Sequence, residues 1–174
     1  MKTKSNMFHN LKQIIQGADA CTSTVVAEIV NYQTSKQVDE KKLYQEVNPG
    51  GGGNTLKYVL DWGKSKGLPL KDGTRLFIKS FFKLPNSYGY AEIALEKQPC
   101  AVTMKFPTGI NRVDQMKQNG EVKDFFIPHT VALVGSENKK FLYLDSVTDY
   151  NGGIGKFAYQ WFGSQVTDLY TINL

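Results

Sequence analysis

The sequence predicts an α+β protein, helices first and an antiparallel sheet after them. Two patterns carry that expectation. In the front half apolar residues recur three and four apart, as Val25 and Ile29, Val26 and Val30, then Leu56, Val59 and Leu60 do. In the back half they alternate, as in Cys100, Val102, Met104 and Phe106, within short segments rich in β-branched and aromatic residues. Helical segments followed by strand segments, without the strict interleaving a parallel sheet needs, point to α+β.

The elements follow in order. From Cys21 to Tyr32 the helix is apolar over much of its circumference, so it belongs at the centre of the protein. "VDEKKLYQEV" predicts a short exposed helix, and "NPGGGGN", residues 48–54, a turn whose glycines permit positive φ and close backbone approach. "TLKYVLDWGKSK" predicts another helix, with Gly67 as its C-terminal cap. "RLFIKSFFKL", 75–84, has strand composition, and "SYGYAEIALEKQ" predicts a short helix capped by Asn86 or Ser87. "PCAVTMKF", "PHTVALVG", "KFLYLDSV" and "QVTDLYTINL" predict strands, the middle two joined by a turn at "SENK". The polar segment 107–128 reads as a surface loop or an added hairpin, with a wall of a cleft as the functional alternative.

Length and composition bound the rest. A chain of 174 residues, 41% hydrophobic and 12% aromatic, predicts one domain over 1–174 with a real core. The net charge of +5 is dispersed, with no basic stripe, so nucleic acid is not an expected partner. No segment is apolar and long enough for a membrane span, and the N-terminus lacks the apolar run of a signal peptide. Two cysteines far apart are no disulfide framework and suit a reducing, cytoplasmic or otherwise intracellular setting.

The chemistry-bearing residues are few. His129 opens a strand whose next neighbour in the hairpin carries Asp145 on the face of Phe141 and Tyr143. An acid on an apolar face needs a partner, and His129 is the nearest compatible one. Cys21 begins the central helix, whose free N–H groups and positive end favour a thiolate. Cys, His and Asp in that order make a credible nucleophile, base and orienting group, with the Gln16 side chain and the Cys21 N–H as donors to a developing oxyanion. Each alone has an ordinary structural reading: a buried thiol, a satisfied strand histidine, an ion-paired acid. The glycine cluster lacks the Lys and Ser/Thr of a phosphate loop.

Taken together, "QGADAC", "NPGGGGNTLKYVLDWGKSKGL", "FFKLPNSYGYAEIALEKQPCAVTMKF", "HTVALVG" and "YLDSV" resemble the papain-like cysteine peptidases, from about Gln13 to the end of the chain. The "YLD" tail also resembles the compact bacteriocin-processing peptidase domains of peptide exporters. The resemblance implies a two-lobed fold, with a helical lobe at about 13–72 and a β lobe at about 73–174. It implies a cysteine endopeptidase acting on peptide or protein through Cys21, His129, Asp145 and Gln16. No metal or organic cofactor is implied, and Gly51, Gly52 and Gly53 would line the substrate cleft. The same residues on the same fold could instead transfer an acyl group to an amine or thiol, or a spoiled site could leave a binding protein.

Four departures stand against the family pattern. Gln16 lies five residues before Cys21, one closer than in papain. Thr22 replaces the aromatic that follows the nucleophile, and "DSV" replaces "NSW". Asp19, two residues before Cys21, would oppose thiolate formation if it pointed inward.

Overall fold

A computed structural model of the chain describes residues 7–17, 20–34, 37–51, 55, 58–61, 72–78, 88–105, 117–118, 121–122, 128–147, 150–162 and 166–173. Its elements are β1 (Met7–Phe8), α1 (Cys21–Gln33), α2 (Glu40–Val47), β2 (Asp72–Ile78), α3 (Gly89–Leu95), β3 (Cys100–Lys105), β4 (Lys117–Gln118), β5 (Glu121–Val122), β6 (Pro128–Glu137), β7 (Lys140–Leu144), β8 (Ile154–Ala158) and β9 (Val166–Asn173). Short 3₁₀ turns occupy Tyr150–Gly153 and Tyr159–Trp161.

Among the described residues six strands form one sheet in the order β2-β9-β3-β6-β7-β8, with β1 as a seventh beside β6, and every pairing is antiparallel. β1 pairs with β6 at Gly135 and Ser136, continuing the edge that β3 occupies from Leu133 to Pro128. The hairpin joining β6 to β7 closes through Asn138 and Lys139, both at positive φ, as a two-residue turn between twisted strands requires. The α+β expectation therefore holds: α1 and α2 precede every strand of the antiparallel sheet but β1, and α3 falls between β2 and β3.

Both faces of the sheet are covered. On one side α1 and α2, with Val59 and Leu60 from the helical residues 58–61, pack on Ala101, Ala132, Val134, Leu142, Leu144, Tyr170 and Ile172. On the other, Ala91, Ala94 and Leu95 of α3 meet Cys100, Val102, Met104, Val131, Leu133, Phe141 and Tyr143. Residues two apart along β3 and β7 thus enter different layers from their neighbours, as the pleat dictates. α1 is buried at every position from Thr22 to Val30, which makes it the central helix that its apolar circumference predicts.

Several boundaries differ from the sequence reading. β2 begins at Asp72, three residues before the expected start, because "DGT" pairs with Asn173, Ile172 and Thr171 of β9. Pairing there overrides weak strand propensity. The cap of α3 is Tyr88, and no side chain caps its first turn; Asn86 and Ser87 lie outside the described residues. α2 is the short helix expected, started by Asp39, whose carboxylate accepts from the Lys42 N–H. Within 107–128 the described residues include a small hairpin, Lys117 opposite Val122 and Gln118 opposite Glu121. Most of the "TLKYVLDWGKSK" helix, Gly67 included, falls outside the described residues.

Candidate active site

Cys21 is the first residue of α1. Ala20 stands at the cap and offers no side-chain acceptor, and the first turn carries no acid. The helix therefore presents N–H donors and its positive end to whatever lies at its mouth. Two turns of sheet-bound helix behind Cys21 keep that end fixed.

His129 is the second residue of β6, opposite Met104 on β3, and is 6% exposed. Its Nε2 lies 3.0 Å from Asp145 Oδ1. With that nitrogen taken, Nδ1 is the one left for the Cys21 thiol, to which the ring hydrogen-bonds. Burial alone would push the thiol up; the His129 hydrogen bond and charge, the Thr130 backbone N–H and the Thr22 hydroxyl together outweigh it and bring the thiol down to about 7. The other cysteine behaves oppositely. Cys100 is fully buried in the strand layer, and that burial pushes it up to about 12.

Asp145 sits one residue past the end of β7, not within the strand as the sequence pattern placed it. Its Oδ1 also accepts from the Val147 N–H at 3.1 Å, a side-chain turn that fixes the carboxylate. Its N–H donates to the Gly153 carbonyl at 2.8 Å, and its own carbonyl accepts from Gln13 Nε2 at 2.7 Å. Gly153 is at φ +75, and a Cβ there would collide with the Gln13 amide and the Asp145 carbonyl. Glycine is required at that position both by conformation and by close approach.

Gln16 belongs to a strap, residues 13–17, that has no regular secondary structure. Its backbone N–H donates to the Ser146 carbonyl at 2.9 Å, and its Oε1 accepts from Ser146 Oγ at 2.8 Å. Since Ser146 holds the amide oxygen, the amide nitrogen is the end left to donate elsewhere. One contact-linked series therefore joins Gln16, Ser146, Asp145, His129 and Cys21.

Thr22, Thr130, Gln13, Ser146 and Gly153 were not singled out for the site by sequence reasoning, beyond Thr22 as a departure from the family. Thr22 Oγ1 is 3.8 Å from Cys21 Sγ and 3.2 Å from Thr130 Oγ1. A hydroxyl thus stands where the papain-like resemblance implies an aromatic ring. Gly51 is an exposed turn residue at φ +76, its N–H bonded to the Asn48 carbonyl. Gly52, Gly53 and Asp19 lie outside the described residues. Among the described residues no cluster of three His, Cys, Asp or Glu side chains could hold a metal ion, and no helix is long and apolar enough to cross a membrane.

No protein-family model matches the chain, and no curated protein matches it. Solved structures do. A C39-like peptidase from Bacillus anthracis superposes with a TM-score of 0.59 at 20% identity, over 97% of this chain and 98% of that one. The Carica candamarcensis cysteine protease CMS1MS2, solved in complex with E-64, gives a TM-score of 0.64 at 15% identity, over 94% and 92% of the two chains. This is a papain-like fold. The peptidase domain of Streptococcus ComA, a bifunctional ABC transporter of a quorum-sensing pathway, superposes at 0.57 and 14% identity over 94% of this chain and 98% of its own. A plant protease and an exporter domain both superpose nearly end to end, so the likeness is to the papain-like fold as a whole and not to one branch of it.

Proposed function

We propose that this protein is a cysteine peptidase that works by thiol acyl transfer. The observation that carries the reading is the Cys21–His129–Asp145 arrangement at the mouth of α1, with the thiol lowered to about 7 while Cys100 is raised. A buried histidine on a carboxylate, facing a half-buried thiol, is an activated nucleophile with its base. The solved structures of like fold include cysteine proteases, which favours peptide bonds as the substrate.

In the first half-reaction the Cys21 thiolate adds to a peptide carbonyl carbon, and the carbonyl oxygen takes up the negative charge. Gln16 Nε2 and the Cys21 backbone N–H donate to that oxygen. As the carbon–nitrogen bond breaks, His129 passes its proton to the leaving amine, and a thioester on Cys21 remains. In the second, His129 takes a proton from water, the hydroxide displaces the thiolate, and the carboxylic product leaves. Asp145 accepts a hydrogen bond from Nε2–H throughout, fixing the ring's tautomer and orientation so that Nδ1 faces the sulfur. The glycine turn at Gly51 to Gly53 would let substrate backbone approach closely.

The test is digestion of a mixed peptide library, products read by mass spectrometry, with Cys21→Ala as control and with and without an added amine. Free carboxylate termini that vanish in the variant support a hydrolase. Amide products formed only with the amine would make the protein a transferase. No products from the wild type would leave a papain-like binding protein.

A further inference from the structure

Glu28 is the buried acid for which that mechanism has no use. It lies on α1, seven residues and two helical turns beyond Cys21, and is 1% exposed. Its Oε1 accepts from the Ile14 backbone N–H at 2.8 Å, while Oε2 is buried with no hydrogen-bond partner among the described residues. The charges facing it, Asp145 beyond β7 and Glu40 on α2, are both acidic. An unpaired carboxyl in such a place is unfavourable, and an apolar side chain would suit the surrounding core better.

What the carboxyl does there is hold the strap. Bonds from Gln13 and Gln16 run to the Asp145–Ser146 turn, and the Gly17 carbonyl accepts from the Ala20 N–H at 3.4 Å just ahead of α1. The bonds to the turn set Gln16 relative to that turn, and the long Gly17–Ala20 bond reaches only the cap of α1, on which Cys21 sits. Ile14, between the two glutamines, is bonded to α1 itself through Glu28.

We propose that Glu28 is a positioning residue of the site: by fixing the Ile14 amide to α1 it sets the distance between the Gln16 side chain and Cys21. The assignment of a catalytic consequence rests on the peptidase reading; the tie itself does not. Burial pushes the Glu28 carboxyl up to about 8, with Asp145 and Glu40 adding to the rise, so at neutral pH it is chiefly the neutral acid. It then accepts from Ile14 without adding a negative charge beside Asp145.

Two variants separate the tie from simple packing. Glu28→Gln keeps an acceptor oxygen, and Glu28→Met keeps the length and loses the acceptor. Three quantities are measured at pH 7: amide hydrogen exchange across residues 14–17 and α1, alkylation of Cys21 by iodoacetamide, and kcat and KM on a cleaved peptide. Iodoacetamide reads the thiolate and His129, not the oxyanion donors. In Glu28→Met the strap should lose protection by about tenfold or more while α1 keeps its own. Alkylation should stay near wild type, and kcat should fall by about tenfold to a hundredfold with KM little changed, short of the loss of a whole donor. Glu28→Gln should restore strap protection and kcat. Unchanged strap protection in Glu28→Met would overturn the proposal. So would loss of α1 protection in both variants, since Glu28 would then serve only the core. If the wild type cleaves nothing yet the strap loosens as described, the tie stands and the peptidase reading falls.

Discussion

Gln16 and Ser146 are joined twice although 130 residues separate them: the Gln16 N–H donates to the Ser146 carbonyl, and the Ser146 hydroxyl donates to the Gln16 amide oxygen. Asp145 immediately precedes Ser146 and holds His129. One short turn after β7 thus supports both the proposed base and the proposed oxyanion donor, and damage to it reaches both sides of the site.

Removing the two partners separately distinguishes their roles. Gln16→Ala should lower kcat by about a hundredfold to a thousandfold, the usual effect of losing one oxyanion donor. Ser146→Ala leaves the amide in place but unbraced, and its loss should be smaller, about tenfold. Neither should slow alkylation of Cys21 appreciably, and rates of peptide turnover and iodoacetamide labelling measured side by side check this.

The two cysteines should differ sharply toward a thiol reagent. Alkylation of Cys21 should rise with pH about a midpoint near 7, because the thiolate is the reactive form. Cys100, raised to about 12 and buried, should stay unlabelled in the folded protein over the same range. Peptide mapping after timed labelling at several pH values reads both.

Thr22→Val deletes a hydroxyl that contacts the sulfur and is itself paired with Thr130. The Cys21 midpoint should move upward and labelling at pH 6 should slow about threefold to tenfold, the effect expected for one weak hydrogen bond to sulfur. Thr22→Ser should behave as wild type.

Gly153→Ala meets both a positive φ and a close approach to the Gln13 amide and the Asp145 carbonyl. A destabilisation of about 1–3 kcal/mol is expected from the strained backbone, seen as a lower Tm in thermal unfolding. Gly51→Ala, equally at positive φ but with open space around it, should lose less.

Glu28 also makes stability depend on pH with a definite sign. The folded carboxyl titrates near 8 and the unfolded one near 4.5, so between those values the unfolded chain gives up its proton more readily. The contribution is full below about 4.5, drains as pH rises and is lost by about 8. Glu28→Gln should remove that slope, and denaturant midpoints measured from pH 5 to pH 8 should show a flatter profile than wild type.

The parts of the fold that were legible are those where one local pattern decides the outcome. α1 announced itself because Val25, Val26, Ile29 and Val30 leave almost no polar face, and β3 because every second residue is apolar. β1 was not legible: Met7 and Phe8 lie in a polar stretch and become a strand only by pairing with Gly135 and Ser136. β8 likewise opens with "IGK", which has little strand character apart from its place beside β7. In the site, Cys21, His129, Asp145 and Gln16 could be chosen because their residue types carry chemistry. Gln13 and Gly153 could not, since they act through contacts with residues more than a hundred positions away or with backbone. Glu28 did leave a signal. It is a lone acid between Ala27 and Ile29 inside an otherwise uncharged helical run, and a carboxyl so placed must either be buried or break the stripe.

We propose that His129 makes Cys21 reactive. It is tested most directly by the rate of iodoacetamide labelling at Cys21, mapped by mass spectrometry from pH 5 to pH 9, in wild type and in His129→Ala. The wild type should label fast at neutral pH, and the variant should show a midpoint moved well above 7 with labelling at pH 6 slowed at least about tenfold, since both the hydrogen bond and the charge that lower the thiol are gone. Equal profiles for the two proteins, or labelling of Cys100 as fast as of Cys21, would contradict it.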